Sequence, residues 1–148
     1  MNEILKIPFA AFNNDWDYLQ LFLKHRGNPL YEITDDLNLR GSKIESLGNL
    51  TSVGGSLILY YSEIESLGNL TSVGGDLNLN IANIKSLGNL TSVGGDLNLR
   101  YSEIESLGKL TSVGGDLTLW NSKIESFGNL TSFEEILSMV KVGGTVYL

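Results

Sequence analysis

The chain contains no cysteine, which excludes a disulfide framework and any thiolate metal site. It contains one histidine, His25. That residue stands between Lys24 and Arg26, where positive charge suits a helix C-terminus, and it has no cysteine with which to form a dyad. Neither an HExxH pattern nor a phosphate-binding loop occurs. No apolar run approaches the ~18 residues of a membrane span. The opening MNEILKIPFA lacks a basic stretch followed by a long apolar one, so no signal peptide is expected and a cytoplasmic location is the default expectation. Basic residues are the minority, 10 against 17 acids, for a net charge of −7. That disfavours nucleic acid, whose binding needs clustered Lys and Arg, and it disfavours anionic membrane surfaces. A basic protein is the mildly favoured partner, although a charge of −7 also does no more than keep a chain soluble. An enzyme is not expected, and neither is a cofactor or metal.

What the chain does contain is one phrase repeated across residues 36–133, five times with a period of 20. LTSVGG stands unchanged at 50–55, 70–75, 90–95 and 110–115. A fixed period of this length is the signature of a solenoid. Leu37, Leu57, Leu77, Leu97 and Leu117 are each followed two residues on by Leu39, Leu59, Leu79, Leu99 and Leu119. This alternation predicts a short strand with one face inward. Farther along come Ile44, Leu47, Leu50 and Val53 and their copies, ending in Phe127, Leu130 and Phe133. Spacings of three fit a tight 3₁₀-like return that drops one apolar side chain inward per turn. Gly54-Gly55 and Gly48, with their copies, mark two corners, where glycine takes a positive φ without strain. Stacked coils then pair their strands in parallel, because one coil cannot bury its own apolar face.

The segments LILYYSEI (57–64) and LNLRYSEI (97–104) resemble the strand segment of leucine-rich repeats, and LGNLTSVGGDLNL (87–99) is similar to the receptor L domain. The resemblance covers about two thirds of the chain. It implies a leucine-rich-repeat-like solenoid with a parallel sheet on one face. It departs at the family's asparagine ladder, where this chain has Ser42, Ser62, Ala82, Ser102 and Ser122. The whole chain also looks like short repeat proteins of tailed phages and their bacterial hosts. That likeness implies an inhibitor acting in the host cytoplasm.

The ends differ from the middle. Residues 1–35 read as an N-terminal cap, 36–133 as the five repeats and 134–148 as a C-terminal cap of one domain. NDWDYLQLFLKHRG (14–27) reads as an amphipathic helix, capped by Asn14 or Asp15 and ended by Gly27 before Pro29. Its apolar stripe is Trp16, Leu19, Leu23 and Phe22. After Phe133 the rhythm breaks. Ser132 and Glu135 form a capping box that predicts a short helix over 133–141. Gly143-Gly144 arrive nine residues late, before a last strand. The outer edge of Thr145, Val146, Tyr147 and Leu148 is an assembly hazard or an assembly site, and homodimerisation through it is one expectation.

The candidate binding residues are those that change between coils. The outward strand position holds Asn38, Ile58, Asn78, Asn98 and Thr118. The next variable positions hold Arg40, Tyr60, Asn80, Arg100 and Trp120, and then Gly41, Tyr61, Ile81, Tyr101 and Asn121. Ile58, Tyr60, Tyr61, Arg100, Tyr101, Thr118 and Trp120 are expected on one sheet face. Tyr, Trp and Arg dominate interface hot spots, which points to a protein partner. Two other readings stay open: the rings stack along the sheet and stabilise it, or they stack sugar rings. Glu45, Glu65, Lys85, Glu105 and Glu125 form a charged edge, most simply a solvated one. Asp76, Asp96 and Asp116 form a ladder beside the glycine corners that suits backbone capping, since the calcium-binding nonapeptide is absent.

Overall fold

The computed structural model describes residues 4–124 and 138–148, and the chain is a parallel β-solenoid with coils of about 20 residues. Strand β1 (Leu5–Ile7), helix α1 (Trp16–Lys24) and strand β2 (Tyr31–Ile33) come first. The first repeat supplies β3 (Leu37–Asn38) and β4 (Leu50–Val53). The next three supply β5 (Leu57–Ile58) and β6 (Ser72–Val73), β7 (Leu77–Asn78) and β8 (Ser92–Val93), and β9 (Leu97–Asn98) and β10 (Ser112–Val113). Then come β11 (Leu117–Thr118), β12 (Lys141–Val142) and β13 (Val146–Tyr147).

These strands form two parallel sheets. One runs β3-β5-β7-β9-β11-β13 and the other β1-β2-β4-β6-β8-β10-β12. Each residue pairs with its copy one coil on, as Leu57 does with Leu77 and Val73 with Val93. The first sheet is the expected leucine sheet. The second is additional to the expected tight return, which carries a two-residue strand at its end. The return itself is as tight as its spacing implies: the Leu70 N–H donates to the Leu67 carbonyl at 3.1 Å, and Leu90 to Leu87 at the same distance. The inward columns fill the coil interior. Leu57, Leu59, Ile64, Leu67, Leu70 and Val73 are all buried in one level, as are their copies in the next. At Ser46–Ser66 and Ser86–Ser106 isolated bridges join the first coil to the second and the third to the fourth.

The two glycine corners have different physical reasons. Gly48, Gly68, Gly88 and Gly108 do take positive φ, 58–60°. The Gly-Gly pairs do not, contrary to expectation. They are glycine because the coils touch there: a Cβ on Gly94 would run into the carbonyl oxygen of Gly74, and one on Gly54 would lie 2.6 Å from the Thr34 oxygen.

Much of the invariant polar text holds backbone. The Asp76 Oδ1 accepts the Asp96 N–H at 2.8 Å, Asp96 accepts Asp116, and Asp116 accepts Thr145. Thr71, Thr91 and Thr111 hydroxyls donate to the threonine carbonyl one coil below. Ser46, Ser66, Ser86 and Ser106 accept the N–H of the corner glycine two residues on. The serines that close the corner turn do less. Ser62 and Ser122 are buried and their hydroxyls have no partner among the described residues.

The N-terminal segment is built into the stack, since β1 and β2 extend the second sheet. Asp15 caps α1 by accepting the Tyr18 N–H, His25 is its C-cap, and Gly27 follows at φ +78°. Leu19 and Leu23 are buried, with Trp16 and Phe22 half-buried against the core. The Asp35 carboxylate accepts the N–H groups of Phe9 (2.6 Å) and Ala10 (3.1 Å), tying down the 3₁₀ turn Phe9–Phe12. The Tyr31 phenol accepts from Gln20 at 3.1 Å, and burial pushes its pKa up to about 12.

At the other end Ser112 pairs with Lys141, so the coil rhythm resumes after the nine extra residues. Ser132, Glu135, Glu125, Phe127, Leu130 and Phe133 lie outside the described residues, as does most of the helix expected over 133–141. Lys141 is not helical: its N–H donates to the Thr111 carbonyl at 2.8 Å and continues the second sheet. Among the described residues no helix is long and apolar enough to cross a membrane.

Candidate functional site

On the leucine sheet the outward side chains alternate with buried leucines. Asn38, Asn78 and Asn98 use their Oδ1 atoms to accept the N–H of the residue two positions on, at 3.0–3.1 Å. This polar column is therefore occupied by its own chain. Ile58 and Thr118 break it, and both are half-buried.

The variable residues that follow do not lie on the sheet face. They form a corner. In each coil a turn closes on a hydrogen bond from the fourth residue to the first: Ser62 to Leu59, Ala82 to Leu79 and Ser102 to Leu99, each at 3.1 Å. Its third residue has positive φ: Gly41 at 67°, Tyr61 and Ile81 at 57°, and Tyr101 and Asn121 at 56°. A negative second and positive third φ is type II geometry. The turn throws the side chains of its two central residues outward, where stacking aligns them with their copies.

Two arginine–aromatic clusters result. In the first, the Arg40 guanidinium lies 5.0 Å from the Tyr60 ring centroid, and Tyr60 lies 6.1 Å from Tyr61. In the second, Arg100 lies 4.4 Å from Trp120 and 5.2 Å from Tyr101, and those two rings meet edge-on at 5.1 Å. Each guanidinium over a ring is worth about 0.5–1 kcal/mol at an exposed site, so part of each cluster stabilises the stack. The remainder faces water: Tyr61 is 64% exposed, and Tyr101 and Trp120 are 43% and 40% exposed.

Between the clusters stand Asn80 and Ile81, the latter 39% exposed. Arg40 and Ile81 belong to the site although sequence reasoning left them out. The signal for Arg40 was available, since it precedes Tyr60 by one coil in its column just as Arg100 precedes Trp120. Ile81 is identified only by its place in the turn.

The other candidate residues lie elsewhere. Among the described residues, β13 has β11 as its one strand neighbour. Val146 points inward and is buried, whereas Thr145, Tyr147 and Leu148 are exposed. Glu45, Glu65, Lys85 and Glu105 are exposed along the return. The fold and the corner define a class, a two-sheet parallel β-solenoid carrying an exposed arginine–aromatic corner. Compared with known proteins, the chain matches no protein family, no curated protein and no solved structure.

Proposed function

We propose that the protein is a non-enzymatic binding solenoid whose partner is another protein, engaged through the corner formed by residues 40, 58–61, 81, 100–101 and 118–120. The observation that carries this reading is the pair of Arg-aromatic clusters. Each guanidinium lies over a ring, 4.4–5.2 Å from its centroid, and such pre-ordered Arg, Tyr and Trp side chains lose little freedom on binding. The leucine-rich-repeat resemblance of 57–64 and 97–104 supports protein binding. The likeness to short phage and bacterial repeat proteins supports a narrower form, an inhibitor in the host cytoplasm that sterically blocks a host or defence protein.

The test is a quadruple variant, Tyr61, Arg100, Tyr101 and Trp120 each to Ala, compared with the wild type in affinity capture from host lysate with quantitative mass spectrometry. Proteins retained by the wild type should drop out with the variant, while its circular dichroism stays unchanged. Equal recovery by both rules the corner out, and selective retention on a glycan array would replace the protein partner by a sugar. A second reading, self-association through 145–148, is favoured by β13 having one strand neighbour among the described residues and by the exposure of Tyr147 (50%) and Leu148 (45%). It predicts a dimer by light scattering, and a monomer at millimolar concentration rejects it.

A further inference from the structure

We infer that Tyr61, Ile81 and Tyr101 form a contact ridge kept against the preference of their own backbone, and that its occupant is an acidic protein segment carrying an exposed apolar side chain. This rests on the protein-binding reading above and narrows it to three residues and one partner chemistry.

The argument starts from the turn. A type II turn asks for Gly or Asn at its third position, because other side chains crowd the backbone at positive φ. The outermost described copies of this turn follow that rule, with Gly41 and Asn121. The three between them do not. They hold Tyr61, Ile81 and Tyr101 at φ 56–57°, and a β-branched residue there is a genuine outlier. The coils are otherwise nearly identical, so the scaffold can plainly be built with Gly or Asn at this place. Contacts within the chain offset only part of the strain, because the three side chains remain 64%, 39% and 43% exposed. Exposed apolar side chains in strained backbone, aligned in one column, are what a binding surface requires and a fold does not.

The surroundings give the partner its chemistry. Gly41 leaves the flank of Tyr61 uncovered, since a Cβ there would meet nothing within 4 Å. A hollow of about 480 Å³ opens at that point, lined by Gly41, Lys43, Tyr61, Glu63, Ile81 and Asn83. It can receive an apolar side chain against the Tyr61 and Ile81 walls. The charged residues beside the ridge are Arg40, Lys43, Arg100 and Lys123 against Glu63 and Glu103, and the last is paired with Lys123 at 3.8 Å. A local excess of positive charge on a chain of net charge −7 selects carboxylates at this corner and repels them elsewhere.

The test is selection from a random twelve-residue peptide library displayed on phage. The targets are the wild type, a ridge variant (Tyr61→Asn, Ile81→Asn, Tyr101→Asn) and a cluster variant (Arg40→Ala, Arg100→Ala, Trp120→Ala). The ridge variant relieves strain, so its melting temperature should fall by no more than about 5 °C and can rise. Peptides enriched on the wild type should combine Asp or Glu with Leu, Ile or Phe, and should bind the ridge variant more than about tenfold less tightly. Peptides that lose the cluster variant but keep the ridge variant overturn the ridge and leave the corner standing. Enrichment of basic peptides overturns the acidic partner. Failure to enrich any peptide sensitive to either variant overturns both readings, and a large fall in melting temperature of the ridge variant shows the three residues to be structural.

Discussion

The glycine corners offer a direct test of what holds the coils together. Gly94 and Gly88 sit in adjacent return corners of the third coil and both would gain one methyl as alanine. At Gly94 φ is not positive and the conformation suits any residue. The obstacle is the neighbouring coil: the new Cβ would collide with the Gly74 carbonyl oxygen and lie 3.0 Å from its carbon. Both are backbone atoms that cannot swing aside. Opening the ~4.8 Å coil spacing strains the bonds across that gap, from the Gly94 N–H to the Val73 carbonyl at 2.8 Å and from the Gly95 N–H to the Gly75 carbonyl at 2.9 Å. Overpacking costs about 1–3 kcal/mol and two weakened hydrogen bonds about 1 kcal/mol each, so Gly94→Ala should lose about 3–5 kcal/mol. At Gly88 the balance is different. Its Cβ would meet nothing within 4 Å, but φ is +58°. The left-handed strain of about 1–2 kcal/mol is reduced by the entropy that glycine no longer loses, about 0.4–1 kcal/mol. Gly88→Ala should therefore lose only about 1 kcal/mol. Urea unfolding followed by circular dichroism measures both. In a stack whose stability sums over neighbours, a break at Gly94 should also broaden the transition and lower its slope as the halves unfold separately. Equal losses, or a larger loss at Gly88, would refute the view that inter-coil contact and not positive φ dictates the Gly-Gly pairs.

Four further outcomes follow from the same structure. Ser62→Ala should be neutral or stabilising by up to about 1 kcal/mol in chemical denaturation, because it removes a buried hydroxyl without a partner and Ala82 already fills that column. Asp96→Ala should cost about 1–2 kcal/mol by removing the acceptor for the Asp116 N–H, while Asp96→Asn keeps an acceptor and should cost less than half of that. Tyr31 has its pKa raised from 10.0 to about 12, so its contribution is fully present below pH 10 and is lost as pH rises toward 12. That loss amounts to about 2–3 kcal/mol, and Tyr31→Phe should remove this component from a plot of melting temperature against pH. Arg100→Ala should cost about 1 kcal/mol or less in stability, and a larger loss would assign the second cluster to the fold.

The sequence predicted the coils because the inward columns obey simple spacings. Leu57 and Leu59 alternate as a strand must, and Ile64, Leu67 and Leu70 drop inward every third residue. The nine-residue delay before Gly143 was equally readable, and the pairing of Ser112 with Lys141 shows the register restored after it. The second sheet was not readable. Ser72–Val73 is too short to show alternation, and it is a strand only because Ser52–Val53 and Ser92–Val93 lie on either side. Its strand character is a property of the stack, not of the segment. The Gly-Gly pairs misled for the same reason, since the atom that excludes a side chain belongs to another coil. The arginine–aromatic corner was half legible: the columns were visible, but alternation placed them on the sheet face, whereas the turn at Leu59–Ser62 carries them around the edge.

The division between constant and variable residues now has a physical content. The repeated Asp76, Asp96 and Asp116, Thr71, Thr91 and Thr111, and Ser46, Ser66, Ser86 and Ser106 hold a backbone group of their own coil or the next, and the Gly-Gly pairs leave room for one. Repetition in the text is thus enforced by repetition in contact, and a change there is felt one level away. At the corner no such enforcement exists. Positions 40, 60, 80, 100 and 120 vary from Arg to Tyr to Asn to Trp, and their contacts, such as Arg40 over Tyr60 and Arg100 over Trp120, are made with each other at the corner and not with the repeated backbone ladder. Position 81 and its copies are freer still in space yet constrained in φ, and that combination is why they are informative. Where backbone asks for Gly or Asn and the chain supplies Tyr, Ile and Tyr, the ring contacts of Tyr61 and Tyr101 offset only part of the strain. The proposed contact ridge assigns the remainder to a partner on the side to which those three side chains point.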